Sequence, residues 1–211
     1  MSTLNLELNI IENATFFYVK VKNPSLKYQS QVDREYAVDA HVDKATAKAW
    51  NKAFPKQKAK EMDYNEFVEK HGAENAIGEE EQFIIKLKKD AQYKDKETGE
   101  TKKIADKYRP RAFEVGEDGT LTDITFTKLI GGGSKGAVLF EVTTNSFGTF
   151  AKLVGLRVDQ LVEVQGDGGD KFGALGKVNN LAEAPATQDA PVAENQGEAS
   201  PAKQAEDDQW K

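Results

Sequence analysis

Residues 131–142 of this 211-residue chain run Gly-Gly-Gly-Ser-Lys-Gly-Ala-Val-Leu-Phe-Glu-Val. The first six match the G-x-G-x-x-G dinucleotide fingerprint, but that site needs a helix N-terminus after the glycines to receive the pyrophosphate. The apolar residues that follow are typical of a strand, and no Lys-Ser/Thr pair completes a Walker loop. The stretch therefore predicts a tight turn that leads into a strand. A turn whose amides or Lys135 touch a phosphate stays open as an alternative.

Working outward from this turn, most of the chain alternates apolar and polar residues with period two, which indicates strands. The capping residues Asp43 and Asp63 instead predict helices at about 44–54 and 63–72, which form a helical insertion at about 43–72. Short strands joined by glycine-rich turns favour a mainly β fold, either a small closed barrel or a sandwich. The strands are predicted at 4–10, 15–22, 32–42, 83–87, 104–115, 120–127, 136–145 and 153–164.

From about residue 183 the composition changes to alanine, proline, glutamine and glutamate, and bulky apolar residues almost vanish until Trp210. Such a segment buries too little surface to offset its conformational entropy. We therefore expect a domain at 1–182 and a disordered acidic tail at 183–211.

The formal net charge of −6 alone argues against a nucleic-acid partner, but the charge is distributed unevenly along the chain. The tail holds seven acids and two lysines, so residues 1–182 carry a net charge of only −1. Residues 61–81 are acidic, with a net charge of −7, whereas 84–111 and 128–157 carry +5 and +3. Because local fields steer a polyanion, the two basic segments are candidate nucleic-acid contacts.

The sequence lacks the residues that several classes of functional site require. The chain has no cysteine, which excludes disulfides and thiolate metal sites and fits a reducing cytoplasm. His41 and His71 lie far apart in the sequence, and both are predicted to be solvated. Glu79, Glu80 and Glu81 are the nearest approach to a magnesium-holding cluster, but adjacent residues do not share a strand face. We expect no cofactor, no metal, no catalytic residues and no membrane association.

Aromatic residues alternate with basic ones in the positive segments, as in proteins that stack unpaired bases and neutralise phosphates. Phe and Tyr are more often core residues, so the coincidence of three such groups carries the prediction. The candidate DNA-binding residues are Tyr18, Lys20, Lys86, Lys88, Lys107, Tyr108, Arg109, Arg111, Phe147, Lys152 and Arg157.

The order of these features resembles the single-stranded DNA-binding proteins of T7-type phages and their relatives in other tailed phages. An Asp-Lys-Ala-Thr helix start at 43–46, a Tyr-Arg-Pro-Arg segment at 108–111, the glycine turn and a last strand at 155–161 carry the resemblance. It implies an OB-fold barrel of antiparallel strands and sequence-tolerant binding of single strands in replication, recombination and repair. It also implies a tail that contacts replication proteins such as a polymerase. The family's tail commonly ends in an aromatic residue, whereas here Lys211 follows Trp210.

We therefore expect a non-enzymatic single-stranded DNA-binding protein of the cytoplasm, that of the host cell if the chain is phage-encoded. A second copy of the chain is a further candidate partner. The alternatives are a replication-associated protein-interaction module without DNA binding and a metal-dependent nuclease. The tail residues expected to contact a partner are Glu206, Asp207, Asp208 and Trp210.

Overall fold

The computed structural model describes residues 1–164, and within them the fold is mainly β, as predicted. The predicted tail, with Glu206, Asp207, Asp208 and Trp210, lies outside the described residues. The helices are α1 (Lys44–Ala53) and α2 (Tyr64–His71). The strands are β1 (Thr3–Asn5), β2 (Ile10–Phe17), β3 (Ser25–Leu26), β4 (Arg34–Val42), β5 (Lys60–Met62), β6 (Gln82–Asp90), β7 (Gln92–Lys94), β8 (Thr101–Lys103), β9 (Arg111–Val115), β10 (Leu121–Asp123), β11 (Ser134–Asn145) and β12 (Gly148–Gln160).

The main sheet has the strand order β10-β9-β12-β11-β2-β4-β6-β5, with β1 beside β2 and β3 beside β4. Its longest unit is the β11–β12 hairpin, and the predicted turn at 131–134 does lead into β11. The expectation of purely antiparallel strands is wrong at one place, because β9 pairs with β12 in parallel. Gly155 permits this close pairing, since a Cβ there would lie 2.7 Å from the Arg111 carbonyl oxygen.

The inward side chains of β2, β4, β6, β11 and β12 form one apolar core, which includes the fully buried Val38, Ile85, Val138 and Leu153. Trp50 of α1 enters this core and packs edge-on against Phe140 at 5.4 Å between ring centroids. Alternation along each strand directs these residues to one side of the sheet. The helix thus adds a large aromatic side chain to the core that the sheet forms.

Backbone pairing does not close the sheet on itself within the described residues, since β6 and β12 contact each other without a hydrogen-bonded ladder. The side-chain amide of Gln57 connects them. Its Nε2 donates to the carbonyl oxygens of Lys86 and Ala151 at 3.2 and 3.1 Å, and its Oε1 accepts from the Ala151 amide at 2.9 Å. One glutamine thereby satisfies groups that a strand neighbour would otherwise satisfy.

The helical insertion follows the predicted caps. Asp43 accepts from the Thr46 amide at 2.8 Å at the start of α1, and Asp63 accepts from the Asn65 amide at 2.8 Å at the start of α2. Gly72, with a φ of 85°, ends α2. Between the helices the chain adds the edge strand β5, which pairs with β6 and which the sequence pattern did not reveal.

Helix α2 covers part of the outer face of the sheet and creates a second apolar cluster of Phe17, Met62, Phe67 and Ile84. The prediction that His41 is solvated is wrong, because its ring is fully buried beside Phe67 at 4.4 Å between ring centroids. Its Nε2 donates to Gln82 Oε1 at 2.9 Å. Burial lowers the pKa of His41 to about 4, so the ring is neutral at physiological pH.

Two predicted strands near the N-terminus are interrupted. The alternation at 4–10 continues across a turn, so Leu6 and Leu8 are exposed in the β1–β2 connection rather than paired in one strand. The strand predicted at 15–22 ends at Phe17, because Tyr18 has a left-handed φ of 49°. Phe16 is buried in the core and does not share an exposed face with Tyr18.

Candidate nucleic-acid interface

A groove of about 520 Å³ lies across β9, β11 and β12, beside a short 3-10 turn at Asp106–Tyr108. We call it the Tyr108 groove. It brings together five predicted DNA-binding residues from segments that are far apart in the sequence. They are Lys107, Tyr108, Arg109, Arg111 and Arg157.

The floor of the Tyr108 groove is mainly apolar and includes Ile10, Leu139, Val154 and Phe113. Tyr108 stands at its edge and is 59% exposed. Lys107 Nζ lies over the tyrosine ring, 4.8 Å from its centroid. An exposed ring beside an apolar floor can receive the flat face of an unpaired base.

The charge around the Tyr108 groove is positive, since five basic residues and one acidic residue line it. The two more exposed arginines are already paired: Arg111 contacts Asp123 at 3.0 Å, and Arg157 contacts Asp159 at 2.8 and 3.1 Å. Hydrogen bonds from Thr125 hold the pKa of the Asp123 carboxyl below its usual value, with Arg111 contributing. Because these pairs are partly exposed, a phosphate can replace the carboxylates at small cost.

Arg109 is placed differently from its neighbours. Its side chain is only 12% exposed, and its guanidinium donates to the carbonyl oxygens of Val21 and Lys22 at 3.1 and 2.8 Å. It also lies over the Phe126 ring at 4.4 Å. The sequence pattern predicted one strand at 104–115, but Lys107 lies in the 3-10 turn, and of Lys107, Arg109 and Arg111 only Arg111 lies in β9. The structure therefore gives Arg109 a part in holding the loop together.

A second, smaller groove of about 290 Å³ lies on the outer face of β4 and β6, at the margin of α2. We call it the Tyr18 groove. It contains the predicted residues Tyr18 and Lys86, together with Asp39, Lys60, Met62, Lys70, His71 and Ile84. Lys86 contacts Asp39 at 3.6 Å, and burial raises the pKa of that carboxyl despite the lysine.

The remaining predicted residues line neither groove. Lys88 is exposed on β6 and pairs with Glu35, while the Lys20 amide donates to the Ala37 carbonyl oxygen at 2.8 Å. Phe147 is 78% exposed at the tip of the β11–β12 hairpin, and Lys152 is exposed further along β12. The structure thus distributes the predicted residues over two grooves, the hairpin tip and further positions outside the grooves.

Sequence analysis missed several lining residues of the Tyr108 groove. Phe113 follows Arg111 by two residues on β9, so period-two alternation alone could have identified it. Lys89 reaches the groove from β6 and lies 3.8 Å from Glu141. Leu121 and Val154 carry no sequence signal of this role, because only the pairing of β9 with β12 and β10 places them there.

The acidic run at 79–81 has a structural partner. Lys44 Nζ contacts Glu80 at 3.6 Å and Glu81 at 3.2 Å, which ties the run to the start of α1. Within residues 1–164 no group of three acidic or histidine side chains is arranged to hold a metal ion. In the same range no helix is long and apolar enough to cross a membrane.

Comparison with known proteins gives matches among solved structures alone. No family model matches the chain, and no curated protein matches it. The single-stranded DNA-binding protein encoded by bacteriophage T7 aligns at 18% identity and a TM-score of 0.44, over 75% of this chain and 95% of its own. The single-stranded DNA-binding protein of bacteriophage Enc34, in complex with single-stranded DNA, aligns at 13% identity and a TM-score of 0.42, over 78% and 93%. A C-terminal truncation of the Enc34 protein aligns at 13% identity and a TM-score of 0.42, over 77% and 91%. At these identities the likeness concerns the fold alone.

Proposed function

We propose that this chain is a non-enzymatic protein that binds single-stranded DNA without strong sequence preference, through the Tyr108 groove. One observation carries the proposal: the exposed Tyr108 and an apolar floor share one groove with several basic side chains. The combination matches the needs of an unpaired strand, whose bases offer flat apolar faces and whose backbone carries regular negative charge.

Each part of the groove has a separate task in this proposal. Tyr108 stacks against one base, and the floor around Phe113 and Val154 takes the apolar face of the next. Lys107, Arg111 and Arg157 neutralise phosphates and release counterions. A paired duplex keeps its bases stacked on each other, so it cannot use the ring or the floor. Preference for single strands follows from that difference.

The finer expectations extend the same proposal. The barrel is of the OB type, with Gln57 completing the circuit between β6 and β12. Residues 1–182 form the DNA-binding domain, and the acidic segment 183–211 contacts replication proteins such as a polymerase. The protein coats and protects single strands in phage replication, recombination and repair, within the cytoplasm of the host. Lys20, Lys88, Phe147 and Lys152 contribute from outside the groove.

The test is fluorescence anisotropy with a labelled oligothymidylate and four proteins: wild type, Tyr108→Ala, Tyr108→Phe and Tyr28→Ala. Loss of one stacked base costs about 1–3 kcal/mol, so Tyr108→Ala should bind far more weakly, while Tyr108→Phe keeps the ring and the affinity. Tyr28 is the matched control, since its ring is 88% exposed and lines neither groove. Equal affinities for wild type and Tyr108→Ala would refute a stacking role for the groove.

A protein-interaction module is the second candidate. It is favoured by one observation: the groove floor is apolar, and Arg111 and Arg157 already have carboxylate partners. An apolar peptide could then occupy the floor without disturbing either pair. This alternative predicts that wild-type protein gives no anisotropy change with single-stranded DNA at low salt, which separates it from the first proposal.

A further inference from the structure

The Tyr18 groove is built by the helical insertion, which sequence analysis treated as an acidic segment. Three lysines face the groove: Lys60 from β5, Lys70 from α2 and Lys86 from β6. Lys60 and Lys70 both contact Glu66, at 3.9 and 2.5 Å. These lysine side chains are about half exposed, so the ion pairs are easily exchanged for a phosphate.

The Tyr18 ring is supported from behind. His71 lies edge-on to it at 5.6 Å between ring centroids, and His71 is itself stacked against Phe17 at 4.1 Å and Phe67 at 4.8 Å. The phenol ring is nevertheless 48% exposed. A ring that is packed on one side and open on the other is a stacking platform, of the same kind as Tyr108.

The backbone of Tyr18 indicates that this placement is maintained at a cost. Its φ of 49° lies in the left-handed region, which a bulky residue rarely adopts. The left-handed turn ends β2 and removes the side chain from the alternation that would direct it towards the core. Strained backbone of this kind is concentrated at functional sites.

Strands β6 and β12 connect the two grooves. Lys86 of β6 lines the Tyr18 groove, and Gln57 bridges its carbonyl oxygen to that of Ala151 in β12. Lys152 follows Ala151 with an exposed side chain, and Val154, two residues further along the same face, lines the Tyr108 groove. Lys86 and Lys152 therefore place basic side chains on the outer surface between the two platforms.

We propose that the Tyr18 groove is a second stacking subsite for single-stranded DNA, occupied by the same strand that fills the Tyr108 groove. The inference rests on the proposed function. A strand long enough to reach both platforms stacks bases on Tyr108 and on Tyr18, and its phosphates between them pass Lys86 and Lys152. A short strand fills the Tyr108 groove alone.

The experiment compares a short and a long oligothymidylate, of about four and about sixteen nucleotides, which bracket the site sizes of single OB-folds. The ring is removed by Tyr18→Asn, because asparagine tolerates the left-handed conformation. Tyr18→Phe keeps the ring, and Tyr28→Asn is the control for loss of an exposed tyrosine elsewhere. Circular dichroism establishes that each variant is folded.

We expect Tyr18→Asn to weaken binding of the long strand roughly 5- to 140-fold, the equivalent of one stacked base, and to leave the short strand unaffected. Tyr18→Phe and Tyr28→Asn should bind both strands as wild type does. Equal losses for both strands, or no loss for either, would overturn the second subsite. The latter result leaves the proposed function intact as long as Tyr108→Ala still weakens binding.

A second variant keeps the inference testable if Tyr18→Asn does not fold. Lys60→Gln combined with Lys70→Gln removes two exposed cations from the Tyr18 groove. It should reduce the salt slope for the long strand by about 1.4, since each phosphate contact contributes about 0.7. The salt slope for the short strand should not change. An unchanged slope for the long strand contradicts the inference.

Discussion

Gln57→Ala should destabilise the domain more than most substitutions in a surface loop do. The amide of Gln57 satisfies both the N–H and the C=O of Ala151, and Ala151 is buried in β12. Each buried polar group left without a partner costs about 1–3 kcal/mol. The contact to the Lys86 carbonyl is exposed, so water can replace that one. Two such groups, the N–H and the C=O of Ala151, give an expected loss of about 2–6 kcal/mol, a large share of a typical domain's 5–15 kcal/mol.

The assay is urea denaturation of the full chain, followed by circular dichroism, with amide hydrogen exchange at Ala151 as a local readout. Gln92→Ala is the matched control, because Gln92 accepts one exposed hydrogen bond, from the Arg34 amide at 3.1 Å. It should lose less than about 1 kcal/mol. The barrel-closing role of Gln57 is wrong if Gln57→Ala matches this control and the Ala151 amide stays protected.

Three further predictions follow from buried and tethered charge. The folded-state pKa of His41 is about 4, below the unfolded value of about 6.5, so stability should fall by about 3 kcal/mol as the pH drops through this window. Denaturation measured at pH 7 and at pH 4 checks this: His41→Gln should lose less stability between the two pH values than the wild type does. Arg109→Ala should lower the melting temperature, because it removes two hydrogen bonds to backbone, whereas Arg111→Ala should weaken DNA binding and melt as wild type does. Truncation after Leu181 removes a net charge of −5, and we expect this segment to compete with DNA for the basic grooves. The truncated protein should therefore bind DNA more tightly at low salt, which anisotropy at two salt concentrations checks.

Local sequence signals located the elements well where one short-range rule dominates. The Gly-Gly-Gly-Ser stretch at 131–134 and the apolar residues after it correctly predicted a turn followed by a strand, β11. Asp43 and Gly72 marked helix ends, because capping depends on neighbouring residues alone. The alternation at 4–10 predicted one strand where the structure has a turn. The same pattern occurs in one continuous strand and in two short strands joined by a turn, so alternation alone does not distinguish them.

Local sequence signals also identified some residues of the Tyr108 groove, but not how they come together. Lys107, Tyr108, Arg111 and Arg157 were identified from their residue types, and their meeting depends on the parallel pairing of β9 with β12, which no local pattern encodes. The role of Arg109 was hidden, because its hydrogen bonds run to Val21 and Lys22, nearly ninety residues away. Long-range contacts of this kind appear only when the chain is folded.

The most direct test of the central claim compares one oligonucleotide as a single strand and as a duplex, by anisotropy at low and at moderate salt. The account predicts tighter binding of the single strand at both salt concentrations. It also predicts that the logarithm of the affinity falls as the logarithm of the salt concentration rises. The slope should be about −2 or steeper, because Lys107, Arg111 and Arg157 each neutralise one phosphate. Equal affinity for the duplex, or an affinity for the single strand that salt does not change, would contradict it.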